Sequence, residues 1–466
     1  MAELSEAIDL YHSRLDKEIG QDSQGQLTRQ LHQRQLFFGE RPLCTVLRPR
    51  FLTFDQYHLL QRAIRELMPA FTKAHRLALA DPAFRAQFGL TEWEEELIQV
   101  DPGFSAPSPT ARMDSFLTPD SPEASTERIG MSLYFAEYNA ETPAAAAYND
   151  ALSEVFLALP VMGAFQRRYE VHPLPGRHHV LHVLLDAYRQ YRAVYGGSTQ
   201  RPRIAILDWR EVPTYSEFML FQDYFASQNM ETVIADPRQL EYRNGQLFVD
   251  GITPVHLIYK RVLLSELVLR EGLNHPAIRA VRDHAVCMVN PFRCKLLHKK
   301  SSFAVLSDEK NAPVFSPQER RAIDLHIPWT RRVAERYTLY QGQKIDLLPF
   351  LSSHKDEFVL KPNDEYGGKG ILLGWETDQS QWETALRNAL SEPYIVQQRI
   401  RIPSEPYPSL VEGNVQISNR LIDTNPYIWY GEYVSGCLTR LSTVDLLNVT
   451  AGGGSAVPTF LIQRRS

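Results

Sequence analysis

Apolar residues recur every three or four positions through much of the first hundred residues, as in Tyr57-His58-Leu59-Leu60-Gln61-Arg62-Ala63-Ile64-Arg65-Glu66-Leu67. That spacing stacks them on one helix face and predicts an α-rich N-terminal region over residues 1–105. A proline-rich stretch, Asp101-Pro102-Gly103-Phe104-Ser105-Ala106-Pro107-Ser108-Pro109, then ends helical continuity, because proline lacks a backbone donor and restricts the residue before it. Past Pro202 the texture changes to an apolar run, Arg203-Ile204-Ala205-Ile206-Leu207-Asp208-Trp209, a helical stretch from Ser216 to Gln228, and a second run from Glu231 to Asp236. Strand, helix and strand at this spacing predict a βαβ unit. Asn-Gly within Arg243-Asn244-Gly245-Gln246 favours the positive φ of a tight hairpin, and Val255 to Lys260 reads as a further strand. These elements place a small α/β domain at residues 201–283. From Asn290 onward the pattern predicts a helix, a strand ending at Lys361, a helix near Ser380 to Leu390, and several more strands.

Composition narrows the functional classes. At 466 residues, 44% apolar and 23% charged, the chain can bury an ordinary core and fill about two or three domains. A net charge of −5 argues against a general nucleic-acid binder, although His298-Lys299-Lys300 is a local anion candidate. The N-terminus is acidic and lacks the basic and apolar regions of a signal peptide, and no apolar run is long enough for a membrane span. A cytoplasmic protein without membrane partners is expected. Four cysteines without CxxC or His-Cys spacing give no reason to expect disulfides or structural zinc.

The strongest chemical signal is Phe358-Val359-Leu360-Lys361-Pro362-Asn363-Asp364-Glu365-Tyr366-Gly367-Gly368-Lys369-Gly370-Ile371. A strand ending in lysine sets an ammonium beside a triphosphate, and closely spaced glycines let backbone N–H groups approach phosphate oxygens. The Glu365 carboxylate is a candidate for the accompanying Mg²⁺. No Gly-Lys-Ser/Thr follows the glycines, so this is not a Walker loop. Read as a strand, Gly130 to Asn139 places Leu133, Phe135, Glu137 and Asn139 on one face by its period of two. Glu137 and Asn139 would then share a hard cation, with Asp114 completing the oxygen set. Taken singly, each also fits an ordinary role: Asp114 capping a helix, Glu137 solvated, Asn139 in a turn.

Arg112-Met113-Asp114, Glu137-Tyr138-Asn139 and Lys361 to Gly370 together resemble the circularly permuted ATP-grasp ligases, specifically the glutathionylspermidine synthetase-like branch, with eukaryotic glutathione synthetase a more distant relative. The resemblance implies an α+β / α/β, circularly permuted ATP-grasp fold. Its catalytic domain would take residues 106–200 and 284–466, with the small α/β domain inserted. It further implies that Asp114, Glu137, Asn139 and Glu365 bind Mg²⁺ and that Arg112 steadies the acyl phosphate. Lys361, with Gly367 and Gly368, would meet the ATP phosphates. The other ATP lysine is Lys299 or Lys300; Lys300 is preferred because it directly precedes the helical pattern Ser301 to Leu306. Pro393 to Ile400 resembles the adenine hinge, with Gln397 and Gln398 offering hydrogen bonds and Ile395 and Ile400 apolar walls, while an ordinary edge strand fits the same residues. Arg440 resembles the family's substrate-binding arginine, and Asn448 to Ser455 its glycine-rich lid. Nothing matches the amidase half of bifunctional relatives. The implied activity joins a small-molecule or peptide carboxylate to an amine at the expense of ATP, in a homodimer. A nucleotide-binding module without turnover, or a kinase-like phosphotransferase, would use the same residues.

Overall fold

The N-terminal periodicity folds into α1 (Ala2–Ser13), α2 (Lys17–Gln33), α3 (Phe54–Ala80) and α4 (Glu92–Leu97). The structure, a computed structural model, describes residues 2–119, 130–197, 201–365, 367–444 and 454–465. Helix α3 opens on a reciprocal cap, Thr53 Oγ1 accepting from the Gln56 N–H and the Gln56 side chain accepting from the Thr53 N–H. Its apolar stripe, Leu60, Ile64, Leu67 and Phe71, is fully buried. The region is not purely helical: Phe37–Phe38 pairs with Arg41–Pro42, and Arg50–Leu52 joins a sheet strand from the far end of the chain.

Two long strands follow, β1 (Thr110–Pro119) and β2 (Met131–Asn139). The small domain contributes β3 (Ile204–Leu207), α5 (Tyr215–Ser227), β4 (Thr232–Ala235), β5 (Leu257–Lys260), α6 (Leu264–Glu271) and β6 (Cys287–Val289). Then come α7 (Ser301–Ser307), β7 (Thr330–Arg332), β8 (Phe358–Pro362), β9 (Leu372–Leu373), α8 (Gln379–Asn388) and β10 (Tyr394–Gln398). The chain ends with β11 (Ser404–Val411), β12 (Asn414–Ile422), β13 (Asn425–Trp429), β14 (Tyr433–Ser442) and β15 (Ser455–Arg464).

The sheets set the site. Strands β6-β5-β3-β4 form a parallel sheet, and all four residues of β3 are buried, as expected when helices cover both faces. Strand β6, which the sequence reading left outside the small domain, completes this sheet. The predicted hairpin forms, with Asn244 at φ 50° and Gly245 at φ 71°. Strands β7-β10-β8-β9 form an antiparallel sheet in which β10 lies between β7 and β8. The edge-strand reading of Pro393 to Ile400 is therefore overturned. The largest sheet runs β11-β12-β14-β13-β1-β2, with β15 on β14.

One expectation about β2 also fails. Partners across β1 and β2 run Asp114 with Glu137 and then Ser115 with Phe135, so Ala136 is an extra, bulged residue. Leu133, Phe135 and Tyr138 face the core under α3, while Glu137 and Asn139 turn to the opposite face. Glu137 and Asn139 do project together, but away from Leu133 and Phe135. Asp114 lies inside β1 and caps no helix. Among the described residues no helix is long and apolar enough to cross a membrane.

Candidate active site

Along β1, Ala111 and Met113 pack into the core beneath α3, and the alternate residues Arg112 and Asp114 line a cavity of about 410 Å³. Glu137 and Asn139 reach the same cavity from β2, Arg440 from β14, and Gly367 from the loop after β8. Residues predicted from three distant parts of the chain therefore converge. Gly367 and Gly368 hold φ of 65° and 77°, the left-handed region that side chains with a Cβ disfavour.

Asp114 and Glu137 each have a cation against them. Arg112 grips Asp114 with two hydrogen bonds, Nε to Oδ1 at 2.7 Å and Nη2 to Oδ2 at 3.2 Å. Arg440 donates to the same carboxylate at 2.7 Å and to Asp423 at 2.6 Å. Burial alone would raise the Asp114 pKa, but Arg112 and Arg440 overcome it and hold it at about 2. Lys300 Nζ stands 2.9 Å from Glu137, and this charge outweighs burial to keep the Glu137 carboxyl below its usual range. Lys361 donates to Gln397 Oε1 at 2.7 Å and to the carbonyl of the bulged Ala136 at 3.2 Å. Burial, aided by Lys300, lowers the Lys361 pKa to about 8.

Other expected residues stand apart from the cavity lining. The Glu365 carboxylate pairs with Lys369 at 3.3 Å, and its backbone carbonyl accepts from Lys300. The Gln397 amide is buried and turned inward, its oxygen to Lys361 and its Nε2 to Thr330 at 3.1 Å. The Gln398 N–H donates to the Trp329 carbonyl at 2.8 Å. Ile400 lines a separate cavity of about 380 Å³ with Trp375, Arg399 and Arg401. Lys299, the alternative to Lys300, is buried against Glu94 at 2.8 Å and Asp364 at 3.0 Å. Residues 445–453, most of the expected glycine-rich lid, lie outside the described residues.

Among the described residues no three His, Cys, Asp or Glu side chains come together as a metal-holding group. Asp114, Glu137 and Asn139 nonetheless form a hard oxygen set of two carboxylates and an amide on neighbouring strands, the donor type Mg²⁺ takes. Arg112, Arg440 and Lys300 beside them suit phosphate oxygens. Asn139 Nδ2 and His298 Nδ1 are buried without a hydrogen-bond partner among the described residues, and both residues line the cavity. Buried polar atoms left over in this way fit a ligand that completes them.

The cavity continues to residues that sequence reasoning missed: Asp208, Arg261 and Glu266. Asp208 directly follows β3 and Arg261 directly follows β5. Strand β3 is flanked by β4 on one side and β5 on the other, so the order reverses between β3 and β5. Crevices at the carboxyl ends of such strands are where open parallel sheets bind ligands. Burial raises the Asp208 pKa to about 7, against the Trp209 N–H and Arg261 that favour its charge. The readable signal was position, since both residues close apolar runs already recognised as strands.

A solved glutathione synthetase-like effector from Globodera pallida overlays 96% of this chain and 98% of its own, with a TM-score of 0.61 and 11% sequence identity. The chain has a glutathione synthetase-like α+β fold. That agrees with the ATP-grasp-like architecture expected from the sequence. Two looser overlays have TM-scores below 0.5. One is a γ-glutamylcysteine synthetase-like protein from Methylobacillus flagellatus (TM-score 0.42, 12% identity, 84% of this chain and 88% of that one). The other is the D-alanyl-alanine synthetase A of Vibrio cholerae (TM-score 0.30, 11% identity, 56% and 74%). No family model and no curated protein sequence matches the chain.

Proposed function

We propose that the protein is an ATP- and Mg²⁺-dependent ligase that joins a carboxylate to an amine through an acyl phosphate, in the glutathionylspermidine synthetase-like branch of the circularly permuted ATP-grasp ligases. One observation carries the reading: Arg112, Lys300 and Arg440 surround Asp114 and Glu137 at one end of a cavity whose other end is the crevice between β3 and β5. The glutathione synthetase-like fold supports it.

In this reading Asp114, Glu137, Asn139 and, from the neighbouring loop, Glu365 hold Mg²⁺, whose chemistry is to neutralise phosphate charge. Lys300 and Lys361 receive the phosphates along the Gly367-Gly368 backbone. Lys300 and Arg440 exchange a carboxylate partner for a phosphate one, and Arg112 stabilises charge as the phosphoryl group transfers. Asp208 and Glu266 line the far end of the cavity beside Arg261 and are the partners assigned to the incoming amine. Positioning and charge stabilisation of this kind are most of what phosphoryl transfer asks of a protein.

The test is Mg²⁺-dependent release of ADP and phosphate against pooled carboxylates and amines, including peptides, amino acids and polyamines. Release that requires both an acid and an amine, and that disappears in Lys361→Met, is the expected result. Arg112→Ala is expected to lower turnover by about two to three orders of magnitude while Mg-ATP still binds. A phosphorylated product without free phosphate would instead identify a phosphotransferase, and Mg-ATP binding without any release would identify a nucleotide-binding module.

A further inference from the structure

Behind the cavity wall lies a set of buried charges that the proposed chemistry does not use, with cavity-lining His298 3.8 Å from its Glu141. Lys299 Nζ sits 2.8 Å from Glu94 and 3.0 Å from Asp364. Lys295 Nζ sits 2.7 Å from Asp364, 3.2 Å from Glu141 and 3.5 Å from Glu94. Glu141 also takes Lys260 at 2.9 Å and the Leu264 N–H at 2.7 Å. Three cations thus balance three anions, and only Asp364 keeps appreciable exposure, at 21% of its side chain.

The placement is what matters. Three members adjoin a cavity or phosphate-loop residue in sequence, Lys260 beside Arg261, Lys299 beside His298 and Asp364 beside Glu365, and Glu141 lies two residues after Asn139. Glu94 alone comes from the N-terminal region, on α4. That region grips the same loop a second time: the Phe88 carbonyl accepts from Asn363 Nδ2 at 2.8 Å and from Ser301 Oγ at 2.7 Å. Asn363 Oδ1 in turn accepts the Ser301 N–H at 2.8 Å, where α7 begins behind Lys300.

We infer that Glu94 is a positioning residue, through which the N-terminal region sets residues 363–365 and Lys300 in register with β1 and β2. The inference rests on the reading of this cavity as a Mg-ATP site. Neutralising Glu94 leaves Lys295 and Lys299 facing two carboxylates instead of three. A buried charge that loses its partner draws its remaining partners toward it or admits water, and here the remaining partners include the loop itself. Groups that orient ligand-bearing residues from behind typically cost about 10- to 100-fold in affinity or activity when removed.

The experiment measures the Kd of Mg-ATP by calorimetry for the wild type, Glu94→Gln, Glu94→Asp and Glu405→Gln, each at a temperature where circular dichroism shows it folded. Glu405 pairs with buried Arg48 at 2.9 Å, and its variant serves as the control for loss of a buried ion pair as such. Glu94→Gln is expected to weaken Mg-ATP by about 10- to 100-fold, Glu94→Asp by less, and Glu405→Gln not at all even though it unfolds sooner. Equal Kd values for the wild type and folded Glu94→Gln would overturn the inference, as would an equal loss in Glu405→Gln. A wild type that binds no Mg-ATP would overturn the reading of the cavity itself. Should Glu94→Gln fail to fold, Glu94→Asp carries the same comparison.

Discussion

Replacing Asp114 with asparagine takes a shared carboxylate away from the Arg112 and Arg440 guanidinium groups, and the structure permits an estimate of the cost. Stripping one partner from a buried ion pair typically costs about 3 to 5 kcal/mol. Arg440 retains Asp423 at 2.6 Å, whereas Arg112 retains only the Ala144 carbonyl at 3.0 Å, which places the loss at the lower end, about 3 kcal/mol. An independent route gives a similar figure. The Asp114 carboxyl falls from an ordinary 3.8 to about 2, which corresponds to about 2 to 3 kcal/mol of preference for the ionised form. Because the folded pKa is depressed, that stability is present above the ordinary value and is lost as pH falls through about 2. Urea denaturation of wild type and Asp114→Asn should therefore differ by about 3 kcal/mol, steadily from about pH 8 to about pH 5, with the gap narrowing below about pH 4. A difference under about 1 kcal/mol, or one that changes between pH 5 and 8, would refute the electrostatic account of this site.

Two further outcomes follow from the same neighbourhood. Burial raises Asp208 to about 7, so the stability its neutral form permits is fully present below the ordinary carboxyl range and lost as pH rises through 7; Asp208→Asn, which preserves an oxygen for the Trp209 N–H, should match the wild type near pH 4 and exceed it by about 2 to 4 kcal/mol at pH 8 in urea titrations. Gly370 holds φ 71°, and an added Cβ would lie 2.8 Å from Pro362 Cγ beside Lys361; Gly370→Ala should cost at least about 1 kcal/mol in the same titration and weaken Mg-ATP in calorimetry.

Elements defined by local chemistry were legible in the sequence. The βαβ unit reads from its Ile- and Val-rich runs, the hairpin from Asn244-Gly245, and α3 from its apolar spacing. Lys361 and the glycines after it could be singled out because a strand-borne lysine followed by closely spaced glycines joins an ammonium to backbone N–H groups that phosphate oxygens can approach. The face of Glu137 was not legible, since a two-residue period carries no mark of the extra residue at Ala136. Nor was the role of Gln397, whose amide is consumed by Lys361 and Thr330, residues 36 and 67 positions away. Glu94, Glu141 and Lys295 were passed over for a related reason. A single charged residue carries no local mark of its partners, and the meeting of segments from residue 88 to residue 364 is what makes these three interior. The cavity followed the same division: its chemistry could be guessed from short motifs, but its extension to Asp208 and Arg261 required knowing which strands lie side by side.

The bulge at Ala136 makes the site depend on counting rather than on identity. Strand β2 carries its core residues in one phase up to Phe135 and in the other from Tyr138 onward, and the slip between them puts two oxygen-bearing side chains in the cavity while an aromatic ring stays inside. The same residues paired as a regular strand, with no bulge, would turn Glu137 and Asn139 toward α3 and put Tyr138 in the cavity. Comparison by residue type alone would not distinguish the two pairings. In this fold the slip between Phe135 and Glu137 is itself a functional character, carried by the pairing of β1 with β2.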